Sequence, residues 1–192
     1  MYVNEEFGTL ANVERDSVDR LVERWICILP DLDPVVQAAI TRMQKLVKHL
    51  SRVRQSSLAR FDLQPFEYDT LHTLAGLGPP HQAGPTELAR ATKTSSATMT
   101  ARVDALAERG FVRRLPSTSD RRKVVVELTD AGYHAWRGAI DGMGDEETRL
   151  MNALTPHQRR QLADLLRPML LVAEADFPTQ PNRLPEQSPA HR

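Results

Sequence analysis

Residues 86–128 read TELARATKTSSATMTARVDALAERGFVRRLPSTSDRRKVVVEL, and this stretch decides the fold. Pro85 fixes a helix entry and Thr86 can cap it; Leu88, Ala89 and Ala91 then form a small apolar face. Thr92-Lys93-Thr94 supplies a turn, and Thr94 or Ser95 can cap a second helix. In that helix Met99, Val103, Leu106 and Ala107 recur at helical spacing and should face a core. Ser95, Thr98, Arg102 and Arg109 fall on its opposite face. Gly110 ends it, because glycine accepts the left-handed backbone that follows a last helical turn. Residues 111–115 and 123–128 read as strands around the tip Pro116-Ser117-Thr118-Ser119-Asp120-Arg121-Arg122. The return strand alternates, with Val124, Val126 and Leu128 on one side and Lys123, Val125 and Glu127 on the other.

Two short helices followed by a basic hairpin predict a mainly α fold. It is a winged helix-turn-helix with a two-stranded wing and long terminal dimerisation helices, shaped to enter DNA grooves. Charge is placed to match. The whole chain carries 25 basic and 25 acidic residues, yet residues 86–123 hold nine basic and four acidic ones. A basic patch on a neutral chain favours phosphate at one face. The candidate DNA contacts are Thr86, Lys93, Ser95, Ser96, Ala97, Thr98, Thr100 and Arg102, joined by Asp120, Arg121 and Arg122 at the wing tip. Hydroxyls at the start of the second helix suit phosphates or base edges, and the Ala97 methyl suits a thymine methyl. One of those hydroxyls should serve only as a cap. Arg121 or Arg122 suits a narrow minor groove, with Asp120 fixing an arginine inside the wing.

Outward from this lobe, residues 1–12 read as disordered and 13–33 as an N-terminal helix with a connector. That helix, over residues 16–29, carries Val18, Leu21, Val22, Trp25, Ile26 and Leu29. A long helix over residues 35–60, within a dimerisation segment 34–62, spaces Val36, Ile40, Met43, Val47 and Leu50 as a packing seam. Pro65 opens the helix that starts the winged lobe, residues 63–128. Residues 129–177 form C-terminal dimerisation helices. Thr129 caps the first, which Gly138, Gly142 and Gly144 should weaken; Thr155-Pro156 opens the last, which Pro168 should kink or end. The tail 178–192, with Pro181, Pro185 and Pro189, reads as disordered. The apolar seams of the terminal helices exceed what one small domain buries, which argues for a homodimer.

Other classes find little support. The 192 residues contain no apolar run long enough for a membrane span, and no basic-then-apolar leader opens them, so a cytoplasmic protein is expected. The single cysteine, Cys27, permits no internal disulfide; set among Trp25, Ile26, Ile28 and Leu29 it reads as buried and inert. A redox sensor acting through Cys27 would need the thiol exposed. His49, His72, His81, His134, His157 and His191 form no close pair, so no metal site and no cofactor are expected. Phosphate-loop, nucleophile-elbow and metalloprotease motifs are missing, so no enzyme is expected. A winged-helix module that binds protein rather than DNA is the remaining alternative, against which the basic wing argues.

Residues 63–170 resemble the MarR family of bacterial transcription regulators. The resemblance rests on Pro85-Thr86-Glu87-Leu88-Ala89, on Leu106-Ala107-Glu108-Arg109-Gly110-Phe111-Val112-Arg113-Arg114, on Asp120-Arg121-Arg122, and on Val126-Glu127-Leu128-Thr129-Asp130-Ala131-Gly132. It implies a homodimer joined by helices from both chain ends, a recognition helix in the major groove and a wing in the minor groove. Within the family the chain is similar to urate-responsive repressors with an additional N-terminal helix. That likeness implies a pocket for a small anionic effector at Trp25, Asp69, Arg102 and Arg114, with release from an inverted-repeat, palindromic operator. Each residue also has a plainer reading: Trp25 as packing, Asp69 as an ordinary ion pair, Arg102 as a phosphate contact.

Overall fold

The computed structural model describes residues 14–116 and 124–176, in a chain that divides into two units between Ser51 and Arg52, within one long helix. The expected disordered ends and the wing-tip residues Asp120, Arg121 and Arg122 lie outside the described residues. The elements run α1 (Ser17–Ile28), α2 (Pro34–Ala59), α3 (Pro65–Gly76), β1 (Gln82–Ala83), α4 (Pro85–Ala91), α5 (Ser96–Glu108), β2 (Val112–Pro116), β3 (Val124–Leu128), α6 (Asp130–Met151) and α7 (Pro156–Asp176). Among the described residues no helix is long and apolar enough to cross a membrane.

The first unit holds α1 and most of α2. Asp16 caps α1 by accepting the Val18 and Asp19 N–H groups at 2.7 and 3.2 Å. Arg42, from α2, donates to Asp16 at 2.8 Å and to Asp19 at 2.5 Å, and holds the Asp16 carboxyl well below the usual carboxylate range. Val18 and Val22 are buried, whereas Val35, Val36, Ile40, Leu46 and Val47 on α2 are exposed.

The second unit closes around Leu58, Leu71, Leu74, Leu88, Met99, Val103, Leu106, Val112, Val126 and Ala139. Met99, Val103 and Leu106 line one face of α5 and are fully buried, as their spacing requires. The sheet differs from expectation. It has a third strand, β1, and the order β1-β3-β2, all antiparallel. Two residues are too short to announce a strand by alternation. The consequence falls on Glu127. Gln82 stands opposite it on one side and Arg113 on the other, so this outer-face residue is buried.

Three helix details also differ. Gly84, not Thr86, caps α4: Pro85 occupies the first turn, and the Glu87 carboxylate accepts the Gly84 N–H at 2.8 Å. Thr129 does cap α6, but Gly132 and Gly138 of that helix mark close approaches, whereas Gly144 faces open space. A Cβ on Gly132 would meet Phe111 O at 2.0 Å, and one on Gly138 would meet Phe61 Cζ at 2.2 Å. Pro168 does not end α7, which continues to Asp176. No residue of α7 is buried; Leu162, Leu165, Leu166, Met169, Leu170, Leu171 and Val172 are all exposed.

Candidate nucleic-acid interface

The helix-turn-helix is built from α4 and α5. Leu88 anchors α4 in the core, and the Thr94 N–H donates back to Ala89 O at 2.9 Å to close the turn. Lys93, at the apex, takes the left-handed conformation with φ 50°. That strain turns the chain sharply and leaves the Lys93 side chain exposed beside the start of α5. Ser95 is the cap: its Oγ accepts the Thr98 N–H at 3.1 Å and meets Thr98 Oγ1 at 2.8 Å. Thr100 Oγ1 donates to Ser96 O at 2.9 Å. Ser96 Oγ has no partner among the described residues and is exposed, as are Ala97, Thr98, Thr100 and Thr86. Of the four hydroxyls expected at this helix start, Ser96 is the least committed locally. Further along α5, Arg102 is half-buried, with its guanidinium 5.1 Å from the centre of the Phe66 ring.

The basic window is thinner than its composition suggests. Arg109 pairs with Glu67 at 2.8 Å, and Arg114 pairs with Asp104 at 2.6 Å. Arg113 Nε donates to Glu127 at 2.7 Å, and Glu127 also accepts from the Gln82 amide. The Gln82 hydrogen bond, then Arg113, holds the Glu127 carboxyl below its ordinary value. Glu67 and Glu127 lie outside the window that made the patch look basic; only the fold brings them in. Arg90 and Lys93 are exposed and make no ion pair among the described residues. Arg121, Arg122 and Lys123 are outside those residues.

Three of the four residues expected to hold an effector, Asp69, Arg102 and Arg114, each have a separate partner. Asp69 accepts from Arg54 at 2.7 Å, and the Arg54 guanidinium lies 5.4 Å from the centre of the Tyr68 ring. Burial pushes the Tyr68 hydroxyl up. Arg102 rests on Phe66, three residues before Asp69 on α3. Arg114 bridges β2 to Asp104 on α5 and also reaches Thr100 O at 3.5 Å. Trp25 is exposed on α1, in the first unit. Cys27 corrects the expectation of a buried thiol. It too is exposed, and its Sγ donates to Glu23 O at 3.3 Å, because the apolar stripe of α1 turns the cysteine away from Val18 and Val22.

Comparison with known proteins bears on this geometry. The sequence model of the MarR family matches residues 63–124. The HTH-type transcriptional repressor NicR of Pseudomonas putida is 30% identical over 128 residues, covering 67% of this chain and 79% of NicR. The HTH-type transcriptional regulator PecS of Dickeya dadantii is 27% identical over 149 residues, covering 78% of this chain and 90% of PecS. Among solved structures, the YusO protein of Bacillus subtilis superposes with a TM-score of 0.65 at 20% identity, over 73% of this chain and 98% of YusO, which shows a shared fold. These two relatives are named as regulators of transcription.

Proposed function

The chain belongs to the MarR family, and from that premise we propose that it is a homodimeric, DNA-binding repressor released from an inverted-repeat operator by a small anion. The observation that carries this is the exposed start of α5. Ser96, Ala97, Thr98 and Thr100 project beside Lys93 from a helix whose other face is locked in the core. Ser96 and Lys93 suit phosphate and base edges of a major groove, Thr86 the flanking phosphate, and Arg121 or Arg122 the minor groove, with Asp120 orienting one of them. The uncovered apolar face of α7 supplies the dimer, and a two-fold dimer reads half-sites about 34 Å apart.

The effector would act on ties already in place. A carboxylate or enolate that takes Arg114 from Asp104 unlinks β2 from α5; one that crowds Asp69 competes for Arg54. Arg102 on α5 completes the set by resemblance. Such coupling is typically about 1–3 kcal/mol.

The test begins with selection from a random-sequence duplex library by the full-length protein. An inverted repeat should emerge, with affinity falling steeply as salt rises because phosphate contacts release counterions. Recovery of no duplex, or salt-insensitive binding, overturns the reading. Screening carboxylates and urate for release then tests the switch. Arg114→Ala should abolish release while binding persists; loss of binding instead assigns Arg114 to phosphate. The exposed Cys27 supports a second route to release, by thiol oxidation. Peroxide-driven release that vanishes in Cys27→Ser would establish it.

A further inference from the structure

We infer that Arg109 is a positioning residue for the recognition helix, bracing the C-terminal end of α5 against the elbow between α2 and α3 rather than meeting DNA. Both terminal nitrogens of its guanidinium are engaged inside the protein. Nη1 donates to the Glu67 carboxylate at 2.8 Å, and Nη2 donates to Asp62 O at 2.8 Å and Phe61 O at 3.4 Å. The face of the group lies 4.7 Å from the centre of the Phe111 ring.

Each partner is itself fixed. Glu67 is 4% exposed, and the oxygen that takes Arg109 also accepts the Gln64 N–H at 2.8 Å at the start of α3. Asp62 holds the left-handed backbone, φ 51°, which turns the elbow between α2 and α3. Phe61 closes the elbow from the other side, packed where Gly138 of α6 leaves room for its ring. Arg109 therefore ties one end of α5 to the junction of α2, α3 and α6, while Ser96 and Ala97 at the other end stay exposed and can meet a duplex. A planar fork spanning a carboxylate and two carbonyls fixes an angle; a lysine ammonium, a single point charge, cannot span them.

This inference rests on the DNA-binding reading, and the experiment separates the two. Full-length wild-type protein and the variants Arg109→Lys, Arg109→Met and Glu67→Gln are titrated against the duplex recovered by selection, over a range of salt. Folding is checked by circular dichroism and thermal melting. If wild type binds no duplex, the DNA-binding reading fails first. If it binds, Arg109→Lys and Arg109→Met should each lose about tenfold in affinity, the worth of roughly one base contact, with an unchanged salt slope. They should also tolerate half-site spacings that wild type rejects.

A phosphate contact predicts otherwise: near-normal binding for Arg109→Lys, and a slope shallower by about 0.9 for Arg109→Met. Glu67→Gln decides the case if Arg109→Met melts. Removing a negative charge raises DNA affinity by electrostatics alone, whereas loosening the brace lowers it. A rise, or wild-type affinity and spacing preference in Glu67→Gln and Arg109→Lys, overturns the inference.

Discussion

The winged lobe and α7 are built from the same apolar residue types and treat them in opposite ways. Leu71, Leu74, Leu88 and Leu106 are 0% exposed, while Leu165 and Leu170 on α7 are 68% and 58% exposed. Fully burying such a side chain is worth about 1.5–3 kcal/mol, and a row left in water marks an interface. The lobe satisfies its core from its own chain, folding α3, α4, α5 and the sheet around one cluster. Helix α7 has no such closure among the described residues. The difference teaches that the recognition geometry is a property of one chain, whereas in the proposed dimer the spacing between two such geometries would belong to the pair.

That contrast makes its largest demand on stability. Leu71→Ala, in the lobe, should lower the free energy of unfolding by about 2–5 kcal/mol, equally at micromolar and at millimolar protein. Leu165→Asp, on α7, should instead act through concentration. Sedimentation should show monomers where wild type shows dimers, while near-UV dichroism of the lobe stays unchanged. If Leu165→Asp remains a dimer, or unfolds the monomer as Leu71→Ala does, the two regions are not different in kind. A smaller effect tests where α6 passes the elbow. Gly138→Ala gains helix propensity but drives a Cβ into the Phe61 ring, so denaturant melts should show a net loss of about 1–3 kcal/mol. A gain would mean the ring yields freely and the elbow is looser than the lobe core.

The lobe was also the easier region to read. Met99, Val103 and Leu106 declare a buried helix face by spacing alone, and Gly110, with φ 73°, ends α5 where its type predicts. Signals that depend on distant partners were not legible. Arg109, Arg113 and Arg114 count as free cations in a composition window, yet each finds an acid, and two of those acids, Glu67 and Glu127, lie outside it. Strand β1 is two residues long, below the reach of any alternation rule, and it is what buries Glu127. The helix-breaking character of Gly138 was legible and its packing use was not, because that depends on Phe61, 77 positions earlier. Cys27 shows the same limit in reverse: apolar sequence neighbours do not bury a residue that the helix turns outward.

The finest comparison lies inside the lobe, between carboxylates that brace and carboxylates that merely decorate. Glu127 is pulled below its ordinary value by Gln82 and then Arg113, so its folded value lies under its unfolded one. Its contribution is therefore present above the unfolded value, near 4.3, and lost as pH falls through the folded value. Glu127→Gln should flatten the acid limb of stability in that range. At neutral pH it should cost only about 0–1 kcal/mol, because Arg113 is largely in water and recovers hydration when released. If Glu127→Gln leaves the acid limb as steep as in wild type, Glu127 is one more surface charge, and the three-stranded base of the wing is held by backbone pairing and Val126 alone.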